Sequence, residues 1–410
     1  MSKVEYGVIG EHLSHSYSAE LHRLFGNDRY AVCEVRPDAL GAFLRREPFC
    51  GINVTIPYKS AVIPYLDEID DTARRIGAVN TVIRKNGRLV GYNTDFFGFS
   101  ALLDHAKIDL SGKDGLILGT GGTAKTVAAV VASRGGTATM VSRTPQAGQI
   151  GYSAAQKRQE NVRFIINTTP VGMSPQMELC PLELTPGDAP VVDVIYHPLR
   201  SSLILQASEQ GRPAVGGLYM LVAQAAMSAS LFFGDDAPMR QIDAVYCAML
   251  RQKRNIVLIG MPGSGKSSVA REYAALTGCP FVDTDRMIEE KTGLSPAQYF
   301  AAHGEAAFRR EEETAVRLLA DRRGMVIATG GGTVLSRRNQ MLLRQNGLLV
   351  FLDRPPEQLV PSEDRPLASN AEDMRRLYEE RIGLYRRLAD RTVFADTPRR
   401  MALEIAGGVE

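Results

Sequence analysis

Residues 255–268 read Asn255-Ile-Val-Leu-Ile-Gly260-Met-Pro-Gly-Ser-Gly265-Lys-Ser-Ser268. The run from Gly260 through Gly265, Lys266 and Ser267 has the spacing G-x-x-x-x-G-K-S of a phosphate-binding loop. Its surroundings are those the motif needs: the apolar run Ile256 to Ile259 predicts a strand, and Ser268 to Leu276 is compatible with a helix. Glycines here let backbone N–H groups turn inward on phosphate oxygens at a helix N-terminus. Lys266 would reach the β- and γ-phosphates, and the Ser267 hydroxyl would hold Mg²⁺. Gly263, Ser264, Gly265 and Ser268 complete the cradle. The competing reading, a chance match in a glycine-rich turn, does not account for both flanking elements.

Outward from this loop, strands alternate with helical stretches. Downstream strands are expected at Ile256 to Ile259, Pro280 to Val282, Met325 to Ala328 and Leu348 to Leu352. Upstream they are expected at Glu5 to Ile9, Cys50 to Ile56, Gly115 to Leu118, Ala138 to Val141, Phe164 to Asn167 and Val191 to Val194. Such alternation predicts parallel α/β sheets. The basic stretch Arg251-Gln-Lys-Arg254 reads as a short linker. A chain of 410 residues with 44% hydrophobic content accommodates two or three cored domains. The net charge of +2 does not point to nucleic acid or a membrane surface. The opening residues read as a strand rather than a signal peptide, and no apolar run is long enough to span a bilayer. Five cysteines without a C-x-x-C pair read as reduced thiols of a cytoplasmic protein.

A second glycine cluster lies upstream. Residues 115–125 read Gly115-Leu-Ile-Leu-Gly-Thr-Gly-Gly-Thr-Ala-Lys125, a strand followed by Gly119, Gly121 and Gly122 and then a helix from about Thr123. This arrangement lets a pyrophosphate approach the backbone. The next strand ends in Ser142-Arg143-Thr144. An acid there would suit the ribose of NAD, whereas Arg143 suits the 2′-phosphate of NADP. The alternative is that Arg143 is a surface residue after a strand.

Further upstream are His15-Ser-Tyr-Ser18, Asn53-Val-Thr-Ile-Pro-Tyr-Lys59, Gly77-Ala-Val-Asn-Thr81 and Gly91-Tyr-Asn-Thr-Asp95. Each alone is ordinary turn chemistry. Together with Asn167-Thr-Thr-Pro-Val-Gly-Met173, Asp193-Val-Ile-Tyr-His-Pro198 and Gly216 to Ala225, they make residues 1–235 resemble shikimate dehydrogenase. The resemblance implies that Ser16 and Ser18 hold the substrate carboxylate. Thr55, Asn80, Tyr196 and Gln224 would contact the ring hydroxyls, and Lys59 and Asp95 would form the catalytic pair. Gly119, Thr120, Gly121, Gly122, Thr123, Ser142, Arg143, Thr144 and Gly217 would bind NADP. Hydride transfer to a ring ketone needs a proton and a nearby positive charge, and an ammonium beside a carboxylate supplies both. A purely structural Lys59–Asp95 ion pair is the alternative. Ala19, Arg23, Thr123 and Ser142 stand where the family more often carries Pro, Asn, Ala and Asn.

The C-terminal part adds Phe281-Val-Asp-Thr-Asp285, Gly304 to Arg309 with Glu312, Ala328-Thr-Gly-Gly-Gly332, Asp364-Arg-Pro-Leu367, and Arg381 four residues before Tyr385. There is no Asn-Lys-x-Asp for guanine. This set makes residues 255–405 resemble shikimate kinase. By that resemblance Asp285 accepts the attacking hydroxyl, while Arg309 and Arg381 bind the shikimate carboxylate. Gly331 and Gly332 let the ring approach, Asp283 supports Mg²⁺ with Ser267, and Arg365 closes over the phosphates. The alternative for the arginines is helix-surface pairing with nearby glutamates. The stretch Glu357 to Asp364 is shorter than the lid usual in that family.

The expected architecture is α/β throughout. A substrate-binding domain covers 1–105, completed by about 211–250. A Rossmann-like NADP domain covers 106–210, and a P-loop domain of the nucleoside-monophosphate-kinase type, α/β/α in layers, covers 253–410. The resemblance implies a bifunctional enzyme that reduces 3-dehydroshikimate and phosphorylates the product. NADP(H), ATP and Mg²⁺ would be its cofactors, the two small molecules its partners, with no nucleic acid or membrane partner, and a homodimer is an assembly it allows. A sensor of pathway intermediates, and an oxidative quinate or shikimate dehydrogenase with an attached kinase, are the alternatives.

Overall fold

The computed structural model describes residues 4–13, 17–46, 48–359, 371–394 and 396–408. The chain divides into two compact units. The first comprises Met1–Gly172, Leu179–Tyr196 and Gln206–Ala248; the second comprises Met173–Glu178, His197–Leu205 and Met249–Glu410.

The first unit holds two sheets. In one, the strand order is Tyr30–Glu34, Tyr6–Gly10, Gly51–Val54, Thr81–Lys85, Arg88–Tyr92, Glu68–Ile69. Tyr6–Gly10 runs parallel to both neighbours, but Gly51–Val54 and Thr81–Lys85 are antiparallel, as are Thr81–Lys85 and Arg88–Tyr92. The sheet is therefore mixed, where the alternation of strands and helices predicted a parallel one. The second of these antiparallel pairs follows from the turn at Asn86-Gly87, where both residues have positive φ (51° and 79°), a short hairpin connection. Gly51–Val54 is buried along its whole length.

The other sheet is parallel, in the order Ala214–Val215, Val191–Asp193, Ile165–Asn167, Asp114–Leu118, Thr137–Val141. The glycine loop joins Asp114–Leu118 to the helix Gly122–Ser133. Helix Thr94–His105 packs closely on helix Leu218–Phe233. Gly98 makes the approach possible, because a Cβ there would lie 2.7 Å from the Met220 carbonyl oxygen.

The second unit is built on a parallel sheet ordered Phe281–Asp283, Val326–Ala328, Asn255–Ile259, Gly347–Asp353, Arg391–Phe394. Alternate residues of each strand face opposite sides. Val257, Ile259, Ile327, Leu349 and Phe351 therefore enter one apolar cluster, and Ile256, Leu258, Val326, Val350 and Leu352 enter another. The expected linker is mostly helical: Arg251 and Lys253 close the helix Ile242–Lys253, and Arg254 alone separates it from the strand at Asn255. Basic side chains at a helix C-terminus complement its dipole. This unit also takes in residues read from sequence as part of the dinucleotide domain. Arg200 donates its backbone N–H to the Gln345 carbonyl (2.9 Å) and Nε to the Arg344 carbonyl (2.8 Å). The fully buried Gln345 amide donates to the Met177 carbonyl at 2.6 Å.

Candidate active sites

In the first unit, the turn after Gly51–Val54 delivers Thr55 and Lys59, and the helix beginning at Thr94 delivers Asp95. Asn93 caps that helix by accepting from the Phe96 N–H at 3.2 Å, and its amide also donates to the Ala78 carbonyl at 2.9 Å. Asp95 sits in the first turn, where the helix dipole favours a carboxylate. Lys59 Nζ donates to Asp95 Oδ2 at 2.6 Å, both side chains being largely shielded from solvent. Lys59 also lines a cavity of about 590 Å³ together with Gly119, Thr120, Gly121, Gly122 and Thr123. Ser142, Arg143, Thr144, Tyr152 and Thr168 to Val171 line the same cavity. Gly119 has φ of +110°, and a Cβ there would meet Thr168 Oγ1 at 2.7 Å, so the loop tolerates only glycine at that point.

Two of the ring-contact candidates, Asn80 and Gln224, meet at Thr94, the residue before Asp95. Asn80, buried, accepts the Thr94 backbone N–H at 2.7 Å and donates to Thr94 Oγ1 at 3.0 Å. Gln224 Oε1 lies 3.5 Å from the same hydroxyl. The Tyr196 ring packs on Tyr17 with centroids 5.2 Å apart. Ser18 opens the helix Ser18–Leu24 and hydrogen-bonds the buried Tyr30. Ser16 lies outside the described residues. Gly217 is not among the cavity-lining residues; it precedes helix Leu218–Phe233, where a Cβ would collide with the Val194 carbonyl oxygen at 2.0 Å. Close backbone packing is therefore what the structure shows for that glycine. Tyr30 and Tyr152 carry no signal in the sequence, and Asn53 and Thr94 stand within the quoted motifs without an assigned role, because a polar side chain carries no local signal of its long-range partners.

In the second unit, Gly260, Gly263 and Gly265 all have positive φ, and the helix starts at Lys266. Lys266 Nζ is held by the carbonyls of Gly260 (2.9 Å) and Met261 (2.8 Å), inside the loop itself. Ser264 is buried and Ser268 exposed on the first turn. Ser267 Oγ donates to Asp283 Oδ2 at 2.6 Å, while Asp283 Oδ1 caps the helix Thr284–Thr292 by accepting from the Asp285 N–H at 3.0 Å. These hard oxygen donors fit a Mg²⁺ ion that keeps several waters and phosphate oxygens as ligands.

Around Gly330 to Gly332 the remaining candidates converge. A Cβ on Gly330 would lie 2.6 Å from Asp285 Oδ1 and 2.8 Å from Glu312 Oε1, and one on Gly332 would strike Arg309 Nη1. Glu312, almost fully buried, pairs with Arg309 and accepts from Thr333 Oγ1 at 2.8 Å. Burial is the largest influence and opposes the Arg309 cation, but the charges and hydrogen bonds of Glu312 and Glu305 together outweigh it and raise the pKa. Arg381 is buried beside Tyr385, whose hydroxyl donates to the Gly331 carbonyl at 2.5 Å. Burial pushes the Tyr385 phenol up to about 12 against the pull of Arg381. Both arginines thus face the glycine turn, and Arg309 also makes the glutamate pairs weighed as its alternative, with Glu312 and with Glu305 at 3.1 Å. Glu312 is the residue that organises Arg309, a role the sequence reading did not assign. Arg365 and the segment around it lie outside the described residues.

The comparisons with known proteins follow this division. The substrate-binding domain model of shikimate dehydrogenase matches residues 8–82, and a shikimate kinase model matches residues 262–406. The shikimate dehydrogenase (NADP(+)) of Geobacillus kaustophilus is 38% identical over 278 residues, covering 62% of this chain and all of that protein. This chain belongs to the shikimate dehydrogenase family. Its C-terminal unit adds a shikimate kinase domain, which makes the chain a bifunctional enzyme of the shikimate pathway. A chorismate mutase/shikimate 5-dehydrogenase fusion protein from Clostridium acetobutylicum superposes with a TM-score of 0.56 at 31% identity, over 61% of this chain and 97% of that one. Shikimate 5-dehydrogenase from Thermus thermophilus, solved with NADP(H) and shikimate, gives 0.53 at 31% identity, over 59% of this chain and 99% of that one. Among the described residues, no helix is long and apolar enough to cross a membrane.

Proposed function

We propose that the dehydrogenase unit reduces 3-dehydroshikimate to shikimate with NADPH and that the kinase unit phosphorylates the new 3-hydroxyl with MgATP. The observation that carries the first half is Lys59. It is bonded to Asp95 and lines the cavity shared with the glycine loop and Arg143. NADPH, when bound there, supplies the hydride. Lys59 gives its proton to the ring oxygen as negative charge develops, and Asp95 holds the ammonium in line. Ser16 and Ser18 bind the carboxylate; Thr55, Asn80, Tyr196 and Gln224 bind the ring. Arg143 and Ser142 take the 2′-phosphate, with Gly119 to Thr123 and Thr144 along the rest of the dinucleotide. Gly217 supports the adjoining helix.

In the kinase unit, Asp285 takes the proton of the attacking hydroxyl, and Arg309 and Arg381 grip the shikimate carboxylate over Gly331 and Gly332. Gly263 to Ser268 cradle the phosphates, Ser267 and Asp283 hold Mg²⁺, and Arg365 neutralises transferred charge. The working division is 1–105 with 211–250 for substrate, 106–210 for NADP and 253–410 for the kinase. The free cysteines suit a cytoplasmic setting. Phosphorylation would pull a reversible reduction forward, and tethering keeps each module near the other. One assay tests both halves: 3-dehydroshikimate, NADPH and MgATP in one vessel, with shikimate and its 3-phosphate quantified against cofactor use. Matched consumption and ester formation is the expected result. Shikimate without ester removes the kinase reading, and no reduction removes the dehydrogenase reading in favour of a sensor.

A further inference from the structure

Asn53 stands in the middle of the buried strand Gly51–Val54 and is 8% exposed. Its Oδ1 accepts from the Tyr30 hydroxyl at 2.6 Å and lies 3.0 Å from His22 Nε2. Its Nδ2 donates to Thr81 Oγ1 at 3.1 Å and reaches the Asn80 carbonyl at 3.5 Å. The orientation of the amide follows from these partners, since Thr81 and the carbonyl offer acceptors and Tyr30 offers a donor. His22 must then present Nε2–H. It stacks on Tyr30 with ring centroids 4.0 Å apart and an interplanar angle of 7°, and burial keeps the imidazole neutral.

The network reaches both ends of the substrate-binding set. On one side, Tyr30 hydrogen-bonds Ser18. On the other, Thr81 Oγ1 lies 3.2 Å from Thr94 Oγ1, which is bonded to Asn80 and lies 3.5 Å from Gln224 Oε1. Asn53 is shared by the two branches. It is not one of the residues read above as substrate contacts. An amide suits the position because one short planar group both accepts on one side and donates on the other; a carboxylate has no donor when ionised, and a serine is too short to reach both.

We infer that Asn53 is a positioning residue for the dehydrogenase reaction: its amide holds Ser18, through Tyr30, and Asn80, through Thr81 and Thr94, at the spacing that the carboxylate and ring hydroxyls of shikimate require. This rests on the reading of Ser18, Asn80 and Gln224 as shikimate contacts. The test uses the full chain, with shikimate oxidation by NADP⁺ followed at saturating levels of the other substrate. Asn53→Ala and Asn53→Asp are compared with Ser18→Ala and Asn80→Ala.

Loss of two buried hydrogen-bonded branches is expected to raise the shikimate KM of Asn53→Ala by about tenfold or more. The KM for NADP⁺ and the kinase constants of the same polypeptide stay within about twofold, a split that general loosening of the unit would not produce. Asn53→Asp keeps the volume and the acceptor but loses the donor toward Thr81; it shows the same split and decides the question if the alanine variant fails to fold. A shikimate KM within about twofold of the parent, or shikimate and NADP⁺ constants rising together, overturns the role of Asn53. If Ser18→Ala and Asn80→Ala leave the shikimate KM unmoved, the contact assignment is wrong, and the inference falls with it.

Discussion

Glu312→Gln should weaken shikimate binding by the kinase without touching its ATP site. Glu312 is 1% exposed, pairs with Arg309 and accepts from Thr333. Glutamine keeps the shape and an acceptor oxygen but removes the charge that holds the Arg309 guanidinium over Gly332. A charge-assisted hydrogen bond contributes about 1.5–3 kcal/mol and a neutral one about 1. The substitution therefore costs Arg309 roughly 0.5–2 kcal/mol of orientation. Glu305 cannot make up the difference, because it is half exposed at i,i+4 and such pairs contribute only about 0.3–0.5 kcal/mol. At about 1.4 kcal/mol per tenfold, the shikimate KM should rise roughly 2- to 30-fold. A coupled kinase assay with shikimate varied at saturating ATP reads this directly, and the dehydrogenase rate of the same sample checks that the protein is intact. An unchanged shikimate KM in a folded variant would mean that Arg309 does not bind the carboxylate or is not placed by Glu312. An equal rise in the KM for ATP would mean that the change acts through the unit as a whole.

Three further outcomes are expected. Lys59→Ala should abolish reduction while leaving phosphorylation, and Lys266→Ala the reverse; loss of both activities from either change, measured on one preparation, would refute two separate sites. Arg143→Asp should raise the KM for NADPH about 10- to 100-fold and narrow the preference over NADH, because a carboxylate repels the 2′-phosphate and suits a ribose hydroxyl; an unchanged NADPH/NADH ratio of kcat/KM would place Arg143 outside the cofactor site. His22 sets a pH dependence of stability: burial lowers its pKa from 6.5 to about 3. Between those values the unfolded chain binds a proton that the native state refuses, so stability falls as pH drops through that window, by about 1.4 kcal/mol per unit. Denaturant unfolding of His22→Gln between pH 6.5 and 4 should show a slope shallower by that amount, and identical slopes would contradict the buried neutral imidazole.

Much of the chemistry was legible because it is local. The phosphate loop, the glycine turn before Gly122–Ser133 and the Arg309–Glu312 spacing on one helix each depend on a few consecutive residues whose backbone geometry dictates their composition. Even the hairpin at Asn86-Gly87 carried a turn signal, and only the weight given to α/β alternation hid the antiparallel strands around it.

The amino-acid order alone marks which segments become glycine loops at helix N-termini, which runs become buried strands, and that two such systems share one chain. Glycine conformations, backbone N–H groups and period-two burial are properties of neighbouring residues. The pairing of Lys59 with Asp95, the convergence of Arg309 and Arg381 on the Gly330 turn, and the place of Asn53 between Tyr30 and Thr81 belong to the tertiary structure. So does the inclusion of Met173–Glu178 and His197–Leu205 in the second unit. Those choices pit hydrogen bonds and ion pairs between residues far apart in sequence against their desolvation. Only the packed sheet and helices fix the distances that decide the balance.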